Sequence, residues 1–488
     1  MRPPHRIAAA AALFTLLRGT ASLPSPPLYF TQLVDHFSAD GSTFSQRYYV
    51  NDTSFAGPGS LIICIMGGEE ALPPSKGILY PSVVLLAARL GALIVEPEHR
   101  FFGDSLPVPG PYSTAHLALL TPAQALADSA ALIEATRAAR NCTGRGGQPR
   151  CPCLTVGGSY PGWQAAMMRL RYPALVDFAY SASPAMRFYA QDVDPFAYYR
   201  GVTESAAHAS PGCPAAVRDM LARTLAAADK ATMVGQLRLC APLPAYLAAG
   251  DAALLRDELA MVFSYTWANL NMGNYPPPTT RLLAACEAIE ATAPQDAWSA
   301  LADFFSNFTG SNAVGCFNVS AQMPSGANAS ISSGDWSGVG AGDDGASWDF
   351  MTCTSLVEPI GTNNVSDMFL PRAWTYEWLN AHCRDRFGVV PAPRTLADTW
   401  GFDLAALPRV TSHIVFTNGL RDGWAAGGVP ANLSATLLAF NMPNGAHHSD
   451  LNYKWPDPAT DTPDVLLVRE LVAQTIARWL AELGETGR

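Results

Sequence analysis

Val156-Gly157-Gly158-Ser159-Tyr160-Pro161-Gly162 lies between an apolar run, Cys153 to Val156, and a segment of helical character that begins near Trp163. The order is strand, sharp turn, helix, with a serine at the turn. A serine hydroxyl becomes a useful nucleophile only when it is held proud of the backbone, beside a base and beside N–H groups that receive an oxyanion. The nucleophile elbow Gly-x-Ser-x-Gly meets these needs, and its small flanking residues relieve the crowding of the turn. Here Gly157 fits, whereas Pro161 stands at the second glycine position and Gly162 follows one place late. Proline suits the first turn of a helix, where its missing N–H costs nothing. By themselves these seven residues also read as a glycine-rich turn carrying an incidental serine.

The chain has 488 residues, enough for two structural units or for one large α/β unit with an insertion. Only 15% of residues are charged against 49% hydrophobic, which describes a packed globule rather than a disordered chain. A net charge of −10 with no basic cluster excludes nucleic acid as a partner. At the N-terminus, Arg2 and Arg6 precede an apolar run from Ile7 to Leu17, and Gly19-Thr20-Ala21 offers small residues for cleavage. Residues 1–21 therefore read as a secretory signal peptide, too short to span a bilayer, and no later stretch reads as a membrane span. Seven glycosylation sequons, at Asn51, Asn141, Asn307, Asn318, Asn328, Asn364 and Asn432, fit that route. The 10 cysteines then suggest several disulfides, and none shows zinc spacing. Cys142 lies close to Cys151-Pro152-Cys153 with the connectivity open, and Cys64, inside an apolar run, is expected as a buried free thiol.

Along the chain, Tyr29 to Gln32 and Arg47 to Val50 have the composition of short strands pairing at a sheet edge. Ser60 to Met66 and Ala92 to Val95 are apolar throughout, as strands of a parallel sheet covered on both faces must be. Pro81 to Leu90 reads as a crossover helix. Thr121 to Arg140 reads as a longer one, with Thr121 as N-cap and proline at the first helical position. Phe178 to Tyr180, His413 to Thr417 and Leu437 to Asn441 supply later strands. This is the order of a doubly wound α/β sheet. From about Asp192 to Leu407 the pattern turns helical, through Pro214 to Ala227 and Leu254 to Trp267, and reads as a lid inserted between late strands. Ser325 to Ser347, rich in Gly, Ser and Asp, reads as a flexible surface loop.

In such a fold a catalytic serine is followed by an acid and then a histidine, on loops after late strands. Asp422 follows the run ending at Thr417, and His447-His448 follow the run ending near Asn441, both at carboxyl ends of strands, where α/β sites are built. Taken singly, Asp422 is a turn or capping residue and His447 a loop histidine. In this order and at these strand ends, catalysis is the better reading. The separation leaves room for one strand and a flanking helix.

The chain as a whole resembles the lysosomal Pro-X carboxypeptidase and dipeptidyl peptidase II family of serine peptidases. The resemblance rests on Tyr29 to Phe37, Phe44 to Tyr48, Gly67-Gly68-Glu69, Glu98 to Pro107, Leu120 to Asp128, Gly157 to Tyr160, Thr352-Cys353-Thr354, Asn418-Gly419 with Asp422 and Trp424, and Gly445 to Leu451. It implies an α/β-hydrolase fold with parts at 22–191 and 408–488 and a helical lid at 192–407. It implies Ser159 as nucleophile, Asp422 as orienting acid and His447 as base, with backbone N–H groups of Tyr160 and Glu69 as oxyanion donors. Glu98, His99 and Arg100 are expected to form one buried, mutually satisfied cluster. The family pattern pairs Cys213 with Cys286, Cys240 with Cys316, and Cys353 with Cys383, while a further bridge would need a cysteine near Gly361. No cofactor or metal is implied, the partner is a peptide, and a homodimer is left open.

The implied activity is a serine exopeptidase cleaving on the carboxyl side of proline, of carboxypeptidase or dipeptidyl peptidase type, secreted or lysosomal and with an acid pH optimum. An esterase or acyltransferase on the same triad is the enzymatic alternative, and a non-catalytic hydrolase-fold binding protein, favoured only by Pro161, is the other. Pro161, Glu70, Ser355 and Glu358 depart from the family pattern. Trp163 and Trp424 are expected to line an apolar slot for a proline ring. Glu358 stands where relatives carry an apolar residue. It is expected to turn toward water and leave that slot intact, the other outcome being a carboxylate that meets a basic side chain of the substrate.

Overall fold

The computed structural model of the chain describes residues 26–73, 77–110, 112–309, 312–313, 315–319 and 345–486. The expected signal peptide, the sequon at Asn328 and most of the Ser325 to Ser347 segment lie outside them. The end of that segment is not loop: Gly345–Thr354 is a helix, and the buried Ser347 hydroxyl donates to the Phe101 carbonyl at 3.3 Å.

Ten strands occur among the described residues: β1 (Leu28–Leu33), β2 (Thr43–Asn51), β3 (Ile62–Ile65), β4 (Leu93–Pro97), β5 (Cys153–Gly158), β6 (Phe178–Ala182), β7 (Asn312–Ala313), β8 (Cys316–Phe317), β9 (Ile414–Gly419) and β10 (Leu437–Met442). Eight of them form one sheet in the order β1-β2-β4-β3-β5-β6-β9-β10. β1 with β2 and β2 with β4 are antiparallel, and every later pairing is parallel. This is the α/β-hydrolase sheet. β7 and β8 make a separate antiparallel ribbon.

The unbroken apolar runs have a geometric cause. Side chains alternate across a strand, so Ile62 and Cys64 of β3 enter the core on one face while Ile63 and Ile65 enter the core on the other. The second face is covered by the helices Pro81–Leu90 and Pro463–Thr486. The first carries Pro122–Ala139 and Tyr160–Arg171, and its core runs without a break into the helices inserted after β6. Thr121 caps Pro122–Ala139, its hydroxyl accepting from the Gln124 N–H at 3.3 Å.

The inserted helices include Ala197–Ala209, Cys213–Arg223, Ala252–Met272 and Arg281–Glu290, before Tyr376–Phe387 and the return to β9. Disulfides Cys213–Cys286, Cys240–Cys316 and Cys353–Cys383 tie them together. A fourth bridge, Cys142–Cys151, closes the hairpin turn before β5 and leaves Cys153 and Cys64 as buried thiols. Burial pushes the Cys153 thiol up to about 12, so it stays protonated.

Candidate active site

Ser159 follows β5 with φ 65° and ψ −131°, a strained conformation that lifts a side chain off a strand end. Its N–H donates to the Ala182 carbonyl of β6 at 2.9 Å, and its carbonyl starts the next helix by accepting from the Trp163 N–H at 3.1 Å. The turn is as crowded as an elbow requires. A Cβ on Gly157 would lie 2.2 Å from the Pro161 carbonyl oxygen, and one on Gly162 would lie 2.6 Å from the Ala182 carbonyl oxygen. Gly162, one place late, is thus the second obligatory glycine. Pro161 occupies the first helical turn, with its ring against Gly68.

Asp422 sits after β9 and does two jobs at once. Its Oδ1 caps the short 3-10 turn Gly423–Gly427 by accepting from the Trp424 N–H at 3.1 Å, and its Oδ2 meets His447 Nδ1 at 2.5 Å. That bond assigns the Nδ1–H tautomer and leaves Nε2 as the proton acceptor. Nε2 is buried without a hydrogen-bond partner, and His447 and Ser159 line the same cavity. Only this 3-10 turn and β10 separate the two residues, with no flanking helix.

The two loops are locked to each other. Leu420 N–H donates to Met442 at 2.9 Å, Arg421 N–H donates to Gly445 at 2.9 Å, and a Cβ on Gly419 would lie 1.9 Å from the Ala446 oxygen. The inserted helices brace the acid loop as well. Asn271 accepts from the Gly423 N–H and donates to the Arg421 carbonyl, each at 2.8 Å, and Ser205 donates to that carbonyl too. Nothing local in the sequence marks Asn271 for this task.

His448 packs against Gly158 rather than pairing with the acid. Its N–H donates to Ser183 Oγ at 2.9 Å, its ring packs 2.7 Å from where a Gly158 Cβ would be, and burial, then the His447 charge, drive its pKa well below the usual range. It is a neutral packing residue. Asp450 accepts from Tyr180 at 2.5 Å and Thr417 at 2.6 Å, joining the histidine loop to β6 and β9.

Glu98, His99 and Arg100 do not form one cluster. Glu98 pairs with Arg47 and accepts from Leu72 N–H, Asp104 N–H and Ser105 Oγ; Arg100 forms a two-pronged pair with Asp128 at 2.7 and 2.6 Å. His99 is held down to about 4 by burial, hence neutral; its Nδ1–H donates to the Arg100 carbonyl at 2.7 Å, so Nε2 accepts from the Tyr160 hydroxyl at 3.0 Å. Adjacent side chains along the chain point to different neighbours, which is why three networks arise. His99 thereby tethers the residue next to Ser159.

The cavity, about 540 Å³, lies between the strand ends and the inserted helices. Gly68, Glu69 and Glu70 form one side; the Gly67 carbonyl of that loop accepts from Gln164 Nε2 of the elbow helix at 2.7 Å. Trp424 lines the cavity as expected. Trp163 does not: it is 0% exposed, stacked between Tyr160 and Trp400 behind the wall, because the elbow helix turns that position toward the core. Tyr189 and Trp348, neither singled out by the sequence, line the cavity instead. Glu358 does not turn toward water. It is 5% exposed and lines the cavity, because its neighbours Val357 and Ile360 are buried and its loop is anchored by the Gln191 amide, which donates to the Val357 carbonyl at 2.7 Å.

Asp349, Cys353 and His382 bring potential ligand atoms within 4.8 Å of one another, but Cys353 is bridged to Cys383 and Asp349 is paired with His382 and Arg386. The thiolate a metal would need is not there. No helix among the described residues is long and apolar enough to cross a membrane.

Comparison with known proteins agrees with this geometry. The chain is 32% identical over 483 residues to the lysosomal Pro-X carboxypeptidase of Pongo abelii, covering 93% of this chain and 88% of the relative. It is 32% identical over 484 residues to that of Homo sapiens, with the same coverage. To the thymus-specific serine protease of Mus musculus it is 26% identical over 504 residues, covering 96% of this chain and 90% of the relative. Residues 32–472 match the family model described as serine carboxypeptidase S28, and with the hydrolase sheet and the serine elbow already in place, the chain belongs to that family of serine peptidases.

Proposed function

We propose that this protein is a serine exopeptidase that hydrolyses peptides on the carboxyl side of proline through an acyl-enzyme. The observation that carries the reading is the pairing of Asp422 with His447 Nδ1, which leaves Nε2 without a partner on a histidine that lines the same cavity as Ser159. In the reaction, His447 Nε2 takes the Ser159 proton as Oγ attacks the carbonyl carbon of the scissile bond. The same proton then passes to the leaving amine as the C–N bond breaks. Water, deprotonated by His447, releases the acyl group and returns the proton to Ser159. Asp422 keeps the imidazole in the required tautomer and stabilises its cation. The N–H groups of Tyr160 and Glu69 are the proposed oxyanion donors, a role consistent with the anchoring of Tyr160 by His99 and of the Gly67 carbonyl by Gln164.

Aromatic walls at Trp424, Trp348 and Tyr189 suit a flat pyrrolidine ring. The names of the carboxypeptidase relatives and the leader-like N-terminus support passage through the secretory pathway, toward the lysosome or outside the cell. The exposed sequons Asn141, Asn307, Asn364 and Asn432 are the glycosylation sites we expect to be occupied. A fluorophosphonate probe should label Ser159, and a panel of peptide and ester substrates should show turnover concentrated on amides with proline before the scissile bond. Preferential turnover of esters, with peptides untouched, overturns the proposal.

A further inference from the structure

We propose that Asn271 is a positioning residue that sets, from the inserted helix Ala252–Met272, the orientation of Asp422, an inference that rests on the roles given above to Ser159, Asp422 and His447. Asp422 is extended, with φ −114° and ψ 132°. In an extended residue the carbonyl before it and the N–H after it point to the same side. Asn271 occupies that side. Its Oδ1 accepts from the Gly423 N–H at 2.8 Å and its Nδ2 donates to the Arg421 carbonyl at 2.8 Å, so one carboxamide grips the peptide units on both sides of Asp422. A carboxamide suits this task because it carries a donor and an acceptor on separate atoms of one rigid plane. With both peptide planes held, the Cα–Cβ bond of Asp422 has one direction, and that direction carries Oδ2 to His447 Nδ1 at 2.5 Å.

Asn271 is 0% exposed and Gly423 is buried, so water does not replace either bond once it is lost. The helix that carries the clamp also reaches the cavity. Asn269, Met272 and Gly273 line it, and Met272 Sδ accepts from Trp424 Nε1 at 3.3 Å. Ser205, on the inserted helix Ala197–Ala209, donates to the same Arg421 carbonyl at 2.8 Å but grips only one of the two peptide units. β9 thus delivers Asp422 to the cavity, and the insertion, through Asn271, aims it. Docking of the inserted helix is then a condition for a working acid and not only a roof over the substrate.

The experiment counts active sites by end-point fluorophosphonate labelling and measures kcat per labelled site and KM on a proline amide and on a phenyl ester. The proteins are wild type, Asn271→Asp, Asn271→Leu and Ser205→Ala. Asn271→Asp keeps the acceptor for Gly423 and loses the donor, whereas Asn271→Leu is similar in shape and loses both. Misplacement of a catalytic group by about 1 Å costs about 100-fold, so kcat per site should fall about 10-fold in Asn271→Asp and about 100-fold in Asn271→Leu, with KM within about twofold of wild type. Ser205→Ala should lose less than either. A purely structural role would instead lower the melting temperature and the number of labelled sites while kcat per site stayed intact. That result, or a rise in KM at constant kcat, overturns the inference. Where Asn271→Leu misfolds, Asn271→Asp, which differs from wild type by one donor, decides. The ester keeps the comparison decisive if amides prove not to be the substrates. A wild type that is neither labelled nor active on either substrate means that the triad reading itself has failed, an outcome distinct from an active wild type matched by its Asn271 variants.

Discussion

The strand ends and the inserted helices meet at one cavity but are built on different principles. At the strand ends, Ser159, Asp422 and His447 are placed by contacts so close that glycine is required at 157, 162 and 419, against backbone, and at 158, against the His448 side chain. The wall opposite is made of side chains, Trp348, Glu358 and Tyr189, from segments far apart in the chain and held by disulfides and single hydrogen bonds. Under the proposed function, the chemistry that needs fixed geometry is assigned to the sheet and the choice of substrate to the insertion, where side chains exchange without moving the backbone.

This contrast breaks most directly at the serine. Ser159→Ala should lower kcat on the order of 10⁴-fold or more while leaving thermal stability unchanged, as read by turnover and a melting curve. His447→Ala should cost a comparable factor and His448→Ala much less. Should His448→Ala prove the more damaging, the proposed base is misassigned. Gly158→Ala comes next: its Cβ would lie 2.7 Å from the His448 ring and would push the histidine loop away from the serine. Displacement of about 1 Å costs about 100-fold in rate. A stable Gly158→Ala protein with full activity would show that the strand-end geometry is looser than the packing implies.

For the disulfides of the insertion the expected effect is on stability. Replacing both Cys353 and Cys383 by serine removes a bridge across a separation of 30 residues, worth about 3–4 kcal/mol in the chain-entropy estimate. Denaturant unfolding should show that loss while fluorophosphonate labelling of Ser159 persists in the folded fraction. Loss of labelling at full stability would mean that this bridge holds the triad itself.

The smallest effect concerns the sheet. Burial raises the Glu96 carboxyl on β4 to about 8, although it accepts from the Leu79 N–H at 2.9 Å. Between about pH 4.5 and 8 the folded chain keeps a proton that the unfolded chain has released, so folding takes up that proton and stability falls as pH rises through this window. In Glu96→Gln the decline of melting temperature from pH 5 to 8 should be shallower than in wild type. An unchanged slope would place the alkaline sensitivity elsewhere.

The sequence by itself marked the strands of the main sheet, the elbow and the order of Ser159, Asp422 and His447, because each leaves a local mark: an unbroken apolar run, a glycine where a Cβ has no room, a polar residue just past a strand; the place of Trp424 came from the family resemblance, and the short β7–β8 ribbon left no mark. The Cys142–Cys151 bridge was undecidable there, since Cys153 lies equally near along the chain and only the hairpin turn shows which sulfurs meet. Trp163 and Glu358 were misread for one reason. A helix sends successive side chains in different directions, and a loop aims one only after its anchors are set, so whether either residue faces the cavity, the core or water depends on packing from distant segments. The three separate networks of Glu98, His99 and Arg100 have the same origin, as their partners Arg47, Tyr160 and Asp128 come from β2, the elbow helix and the helix Pro122–Ala139. Tertiary structure alone decided the direction of each side chain, because direction depends on what the rest of the fold leaves beside it.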